Sequence, residues 1–351
     1  MPPTIKTRMR DAFIMAVTER METDRSLFFL SADFGSPKLD ILTARFPERF
    51  INVGIAEQNL ITVAAGLALE GHAVVAYAIA PFLSMRCYEQ VRGNLCLLSQ
   101  VRPMKVTLAG GGAGYSYDVS GPTHQALEDL SIMRVLPNLG VYSPADSATA
   151  RALAELLLPE TGLRYLRMDG KELPDVGPAP TTTELRQGFR FLRHGHDLTL
   201  VATGYMVHKA LEAAELLAQQ HGVQAAMVDI IALAPWDGPA LGAALSGSPA
   251  ILSMEEGFVG KGGLDAALRE LLWPSAHRLR FKALGLPHHY RFDIGSRDSL
   301  LAAVGLGAAQ LAEQALALLK PCRHTARLHR TVKHSDFDRT IGGRIMGSSS
   351  F

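Results

Sequence analysis

Residues 57–80 read EQNLITVAAGLALEGHAVVAYAIA. The first thirteen, Glu57–Leu69, have the length and apolar content of a buried helix, and Gly71 follows it as a breaker. Ala73–Ala78 is then apolar at every position. A strand that is apolar throughout, rather than at alternate residues, is covered on both faces. Working outward, Leu27–Leu30, Lys105–Ala109 and Leu139–Tyr142 read as further strands of this kind. Thr7–Glu22, Tyr88–Ser99 and Ser147–Leu158 have helical length and spacing between them. Strands alternating with helices predict a parallel α/β sheet.

The stretch KELPDVGPAPTTT at 171–183 carries three prolines and a threonine run, which predicts a linker. A second α/β block follows, with strands expected at Leu198–Ala202, Ala225–Ile230, Ile251–Met254 and Arg280–Leu284. Its helices are expected at Met206–Gln219, Gly262–Leu272 and Ser299–Leu319. The expectation is two parallel-type α/β domains, at 1–175 and 185–320. Residues 321–351, with six Lys/Arg against two Asp and a serine-rich end, read as a partly ordered basic tail.

The chain has 351 residues, enough for two domains. Its 35 Lys+Arg and 34 Asp+Glu leave a net charge of +1, which argues against a nucleic-acid partner. The three cysteines form no paired framework and suit a reducing compartment. The N-terminus lacks the apolar core of a signal peptide, and no apolar stretch approaches the ~20 residues of a membrane helix. A soluble cytoplasmic protein is expected.

Chemistry-bearing signals cluster in the first half. Glu57 opens an apolar helix after Gly54-Ile55-Ala56. It reads either as an acid comfortable in a first helical turn or as a buried carboxyl facing a ligand nitrogen. His124 lies in GPTHQALEDLSIMR at a loop-to-helix junction, where an imidazole can be presented to a reacting oxygen or be merely structural. Gly110–Gly114, GGGAG, has no following Lys-Ser/Thr, so it reads as an active-site segment rather than a nucleotide phosphate loop. The aromatics of FLSMRCYEQVR, 82–92, read as core or as a platform for a flat ring. No CxxC, HExxH or GxSxG pattern occurs, so no metal ligands are assigned to this chain.

In order and spacing, RFINVGIAEQNLITVAAGLALEG (49–71), PFLSMRCYEQVR (81–92) and GPTHQALEDLSIMRVLPNLGVYSPAD (121–146) resemble the transketolase family of thiamine-diphosphate enzymes. The likeness runs from about Thr7 to Leu319 and implies a pyrimidine-binding domain followed by the family's C-terminal domain. It implies that Glu57 hydrogen-bonds the cofactor's aminopyrimidine and that Phe82 stacks on it. His124 would stand beside the donor's reacting carbon. Asp33 would lie near the cofactor, where two subunits meet, with Ile79 and Tyr88 also on the cofactor side. Arg8 and Arg167 would hold a sugar phosphate.

Relatives carry an aspartate where this chain has Ser120, so ordinary pentose-phosphate specificity is in doubt; Asp118 is a candidate substitute. Ile79 stands where a second aromatic is common, and EEGFVGKGGLDAAL (255–268) departs from a motif ending in GGLG. The sequence contains no Gly-Asp-Gly, the element that holds Mg2+ and the diphosphate in complete family members. The resemblance therefore implies a C-terminal subunit, active only with an N-terminal partner that supplies the Mg2+ ligands, in an α2β2 heterotetramer. The expected reaction is transfer of a two-carbon ketol or acyl unit from a ketose or 2-oxo donor to an aldehyde. A condensation of pyruvate like that of 1-deoxyxylulose-phosphate synthase is the alternative within enzymes. A non-catalytic regulatory homologue is the alternative outside them, weakened by the presence of Glu57, Phe82 and His124. A 2-oxo-acid dehydrogenase β subunit is disfavoured by GIAEQN and GPTHQ.

Overall fold

The computed structural model describes residues 7–273 and 279–320. A seven-stranded sheet runs in the spatial order Ala232–Ala234, Leu139–Tyr142, Gly162–Met168, Lys105–Gly111, Ala73–Ile79, Leu27–Ser31, Phe50–Asn52. Every pairing is parallel except that of Ala232–Ala234. A five-stranded sheet runs Arg280–Leu286, Ala250–Phe258, Leu198–Ala202, Ala225–Ile230, Phe189–Arg193, with the last strand antiparallel. A third, two-stranded ribbon pairs Thr7–Arg8 with Glu172–Leu173.

The α/β expectation holds, with four corrections of detail. Ala232–Ala234 lies in the second half of the sequence yet pairs antiparallel with Leu139–Tyr142, so the first sheet is completed by a strand from beyond the supposed linker. That linker is itself partly regular: Glu172–Leu173 is a strand, and Thr181 caps helix Thr182–Gln187 through a capping box with Glu184. The helix expected at Tyr88–Ser99 is a succession of short pieces, with wide π-type turns at Phe82–Arg86 and Val91–Leu97. The helix expected at Ser299–Leu319 is two, Arg297–Ala302 and Ala308–Leu319. Gly305, at φ +78°, makes the turn between them.

Helix Met9–Thr23 packs through Phe13, Val17 and Met21 against Ala150, Leu153 and Leu157 of helix Ser147–Leu157 on one face of the first sheet. On the other face, Leu60, Ile61, Ala64 and Ala68 of helix Glu57–Leu69 join a core that continues into Val201, Val228 and Leu268 of the second sheet and its helices. Both sheets thus share buried surface inside one compact unit. Among the described residues no helix is long and apolar enough to cross a membrane. The tail expected at 321–351 lies outside the described residues.

Candidate functional site

The candidate residues converge because they follow the carboxyl ends of neighbouring parallel strands, where an open α/β sheet presents its loops to ligands. Asp33 follows Leu27–Ser31, Glu57 follows Phe50–Asn52, and Phe82 follows Ala73–Ile79. His124 lies on the connection after Lys105–Gly111.

Glu57 is the first residue of its helix and only 2% exposed. Both of its carboxylate oxygens accept from Nη1 of Arg86, at 2.9 and 2.8 Å. The same guanidinium lies over the Phe82 ring, 4.2 Å from its centroid, as the wide turn at Phe82–Arg86 brings the two together. The ring of His124 meets Phe82 edge-on at 5.4 Å and Tyr117 at 6.0 Å. The Nδ1 atom of His124 is 3.0 Å from Oγ1 of Thr123. Behind this group, burial pushes the Cys87 thiol up to about 12, with the nearby Glu57 adding to the effect, so this cysteine stays protonated.

Asp33 is exposed and adopts the left-handed φ of +54°. Asn52 stabilises that bend: its Oδ1 accepts from the N–H groups of Asp33 and Gly54, and its Nδ2 donates to Asp33. Asp33, Phe34 and Asn52 line a cleft of about 460 Å³. Ile79 is half-buried at the end of its strand. Tyr88 donates its hydroxyl to the Ile132 carbonyl at 2.9 Å. Ser120 is exposed. Asp118 is held by Lys171, whose Nζ lies 2.8 Å from its Oδ1.

Of the two arginines expected at a phosphate, Arg8 is half-buried in the short ribbon, 3.5 Å from Glu172. Arg167 lies deeper. It is 1% exposed, with Nε on both oxygens of Asp129 and Nη2 on the carbonyls of Ala126 and Glu256. Lys171 is exposed, and the pairing of Glu172–Leu173 with Thr7–Arg8 sets it on the same rim as Arg8. Sequence reading missed Arg86 and Lys171. The cation four residues after Phe82 was visible, but only the wide turn stacks it on that ring. Among the described residues, no group of three or more His, Cys, Asp or Glu side chains is placed to hold a metal ion.

Residues 6–174 match the family described as transketolase, pyrimidine binding domain, and residues 188–311 match transketolase, C-terminal domain. One of the subunits of the apulose-4-phosphate transketolase from Actinobacillus succinogenes is 32% identical over 273 residues, covering 78% of this chain and 86% of that protein. The 1-deoxy-D-xylulose-5-phosphate synthase of Crocosphaera subtropica is 31% identical over 307 residues, covering 86% of this chain and 47% of that one. A solved split-gene transketolase, described as an inactive β4 tetramer, has a TM-score of 0.77 and 33% identity. That likeness covers 90% of this chain and 99% of the other.

Proposed function

The chain belongs to the transketolase family, and from that premise we propose that it is the C-terminal, pyrimidine-binding subunit of a two-subunit enzyme. The enzyme moves a two-carbon ketol or acyl unit from a ketose or 2-oxo donor to an aldehyde. The proposed division is a pyrimidine-binding domain at 1–175 and the family's C-terminal domain at 185–320. The match to a relative that is itself a subunit, and to almost the whole of a split-gene structure, supports this reading. The proposed partner is an N-terminal subunit holding the diphosphate and Mg2+, in an α2β2 assembly. The buried free thiols Cys87 and Cys96 fit a cytoplasmic setting.

One observation carries the cofactor assignment. The Arg86 guanidinium, flat and rich in N–H donors, lies on the Phe82 ring and hydrogen-bonds Glu57. A flat, nitrogen-bearing ring needs the same two contacts, so the site fits the aminopyrimidine of thiamine diphosphate once Arg86 turns outward. When bound, the cofactor supplies a nucleophilic carbon and the electron sink for the transferred unit. Glu57 would hold a proton at its carboxyl oxygen against a ring nitrogen, and Phe82 would fix the plane of the ring. His124, with Nδ1 turned to Thr123, would direct Nε2 at a donor oxygen. Asp33 and Ile79 would border the cofactor. Arg8 and Lys171 would meet the anionic end of a sugar phosphate, and Ser120 would read the donor's hydroxyl.

The second reading, condensation with pyruvate, is favoured by Ser120: a donor without the hydroxyl needs no aspartate there. Calorimetry with thiamine diphosphate and Mg2+, on the chain alone and with the N-terminal subunit, tests the proposal. Tight binding is expected only in the mixture, and Glu57→Ala should abolish it or the turnover. Unchanged turnover in Glu57→Ala would put the non-catalytic homologue in its place. Tight binding by the chain alone would refute the two-subunit site.

A further inference from the structure

The second sheet contributes no residue to the ring of contacts around Glu57, Phe82 and His124, yet two of its side's charged groups reach the loops that carry His124. We propose that Arg297 and Glu256 are positioning residues that fix the His124 loop, Arg297 through the Ala113 carbonyl and Glu256 by holding Arg297 and, at its own carbonyl, the Arg167 that binds the Ala126 carbonyl; this rests on the reading that His124 faces the donor.

Two loop segments are braced against each other: the Gly114 N–H donates to the Ala126 carbonyl at 3.1 Å, two residues beyond His124. That carbonyl also accepts from Nη2 of Arg167 at 2.9 Å, and the same Nη2 donates to the Glu256 carbonyl at 2.9 Å. The carboxylate of Glu256 is gripped by Arg297, through Nε at 2.9 Å and through Nη2. Arg297 Nη1 binds Asp169, and its Nη2 also reaches the Ala113 carbonyl at 3.4 Å. The Tyr205 ring closes the other side of the guanidinium, 3.6 Å away. Arg167, Asp169, Glu256 and Arg297 are each at most 5% exposed.

Gly114 shows how closely this group is built around the loop. It sits at φ +53°, and a Cβ there would fall 1.9 Å from Oε2 of Glu256. The carboxylate occupies the space that any side chain at 114 would need. A second strut joins the same two regions, from the Phe258 N–H to the Leu127 carbonyl at 3.4 Å. Buried ion pairs return little net stability over well-packed apolar residues. What this group secures is geometry: planar donors in fixed directions hold two carbonyls of otherwise irregular chain.

The test uses the chain with 13C-labelled histidine, in which the His124 ring resonance is assigned by its loss in His124→Gln. Arg297→Met and Gly114→Ala should each shift that resonance and speed exchange of the residue-114 amide by about tenfold or more. Arg297→Lys should recover much of both, which general loss of stability would not do. Should Arg297→Met fail to fold, Gly114→Ala and Glu256→Gln decide the matter. An unchanged His124 signal and unchanged residue-114 exchange in the folded variants overturns the proposal. Turnover of His124→Ala with the N-terminal subunit separates the premise: undiminished turnover would remove the donor-facing role and with it the functional meaning of the positioning. Collapsed turnover in His124→Ala with an undisturbed ring in the folded variants would reject the positioning alone.

Discussion

Two ion-paired regions of the molecule, one at Glu57 and one around Arg167 and Arg297, differ in what surrounds them. At Glu57–Arg86 the carboxylate side chain is 3% exposed but its partner is 44% exposed. At Arg167–Asp129 the values are 1% and 0%, and at Arg297–Glu256 they are 6% and 1%. The charges are alike; the solvation is not. Arg86 reaches water, while the Glu57 carboxylate it pairs with does not. Arg167 and Arg297 have no such exit, so they hold the chain around them in place. One centre reaches solvent and the other is closed off from it.

That contrast is most sharply broken at Asp129. Asp129→Ala strands Arg167 without its counter-ion and should cost about 3–5 kcal/mol of stability, read by chemical denaturation. A loss near zero would mean the interior centre is no more committed than the outer one. Glu255, next to Glu256, adds a pH signature of the closed region. Burial holds its carboxyl at about 7 in the folded chain, above the ordinary 4.5. Its protonated form therefore supports the fold: the contribution is full below pH 4.5 and is lost as pH rises through 7, on the order of 3 kcal/mol. Glu255→Gln removes the titrating carboxyl and keeps an oxygen for only one of the two N–H groups it serves, Leu264 at Oε2 and Asp265 at Oε1; it should flatten the stability profile between these values.

At the open centre the effects belong to activity. Glu57→Ala should lower turnover of the two-subunit enzyme by about a hundredfold or more while changing stability little. Ser120→Asp should raise preference for hydroxylated ketose donors by about tenfold over pyruvate, measured as a ratio of kcat/KM. An unmoved ratio would turn attention to the Asp118–Lys171 pair. Arg86→Ala leaves the buried Glu57 carboxylate without its cation and should cost about 1–3 kcal/mol of stability, less than Asp129→Ala, because only one member of the pair is buried.

Much of the fold was legible because buried strands are apolar runs: Ala73–Ile79, Leu198–Ala202 and Ala225–Ile230 were found nearly to the residue. Gly162–Met168 escaped because GLRYLRM carries two arginines. Both are buried in the folded chain: Arg164 binds the carbonyls of Glu160, Thr161 and Gly162, and Arg167 takes Asp129. Phe50–Asn52 escaped because it is a short, half-covered edge. Glu57, Phe82 and His124 were legible as residues, from motif spacing alone. Their assembly into one cluster of contacts was not, because Phe82 and His124 meet across 42 residues, at the carboxyl ends of two interior strands and through an irregular loop.

The sequence by itself determined the α/β alternation, the resemblance to the transketolase family and the candidate carboxyl, ring and imidazole, because apolar periodicity and local motifs are properties of neighbouring residues. Tertiary structure alone decided which cations are buried and which reach the surface. Arg167 went inward to Asp129 and Lys171 outward to the rim, although they lie four residues apart on one segment. It also lent strand Ala232–Ala234 to the first sheet and brought Arg297 within reach of the His124 loop. Those outcomes rest on burial and on donors finding acceptors far away in the chain, and no local pattern encodes them.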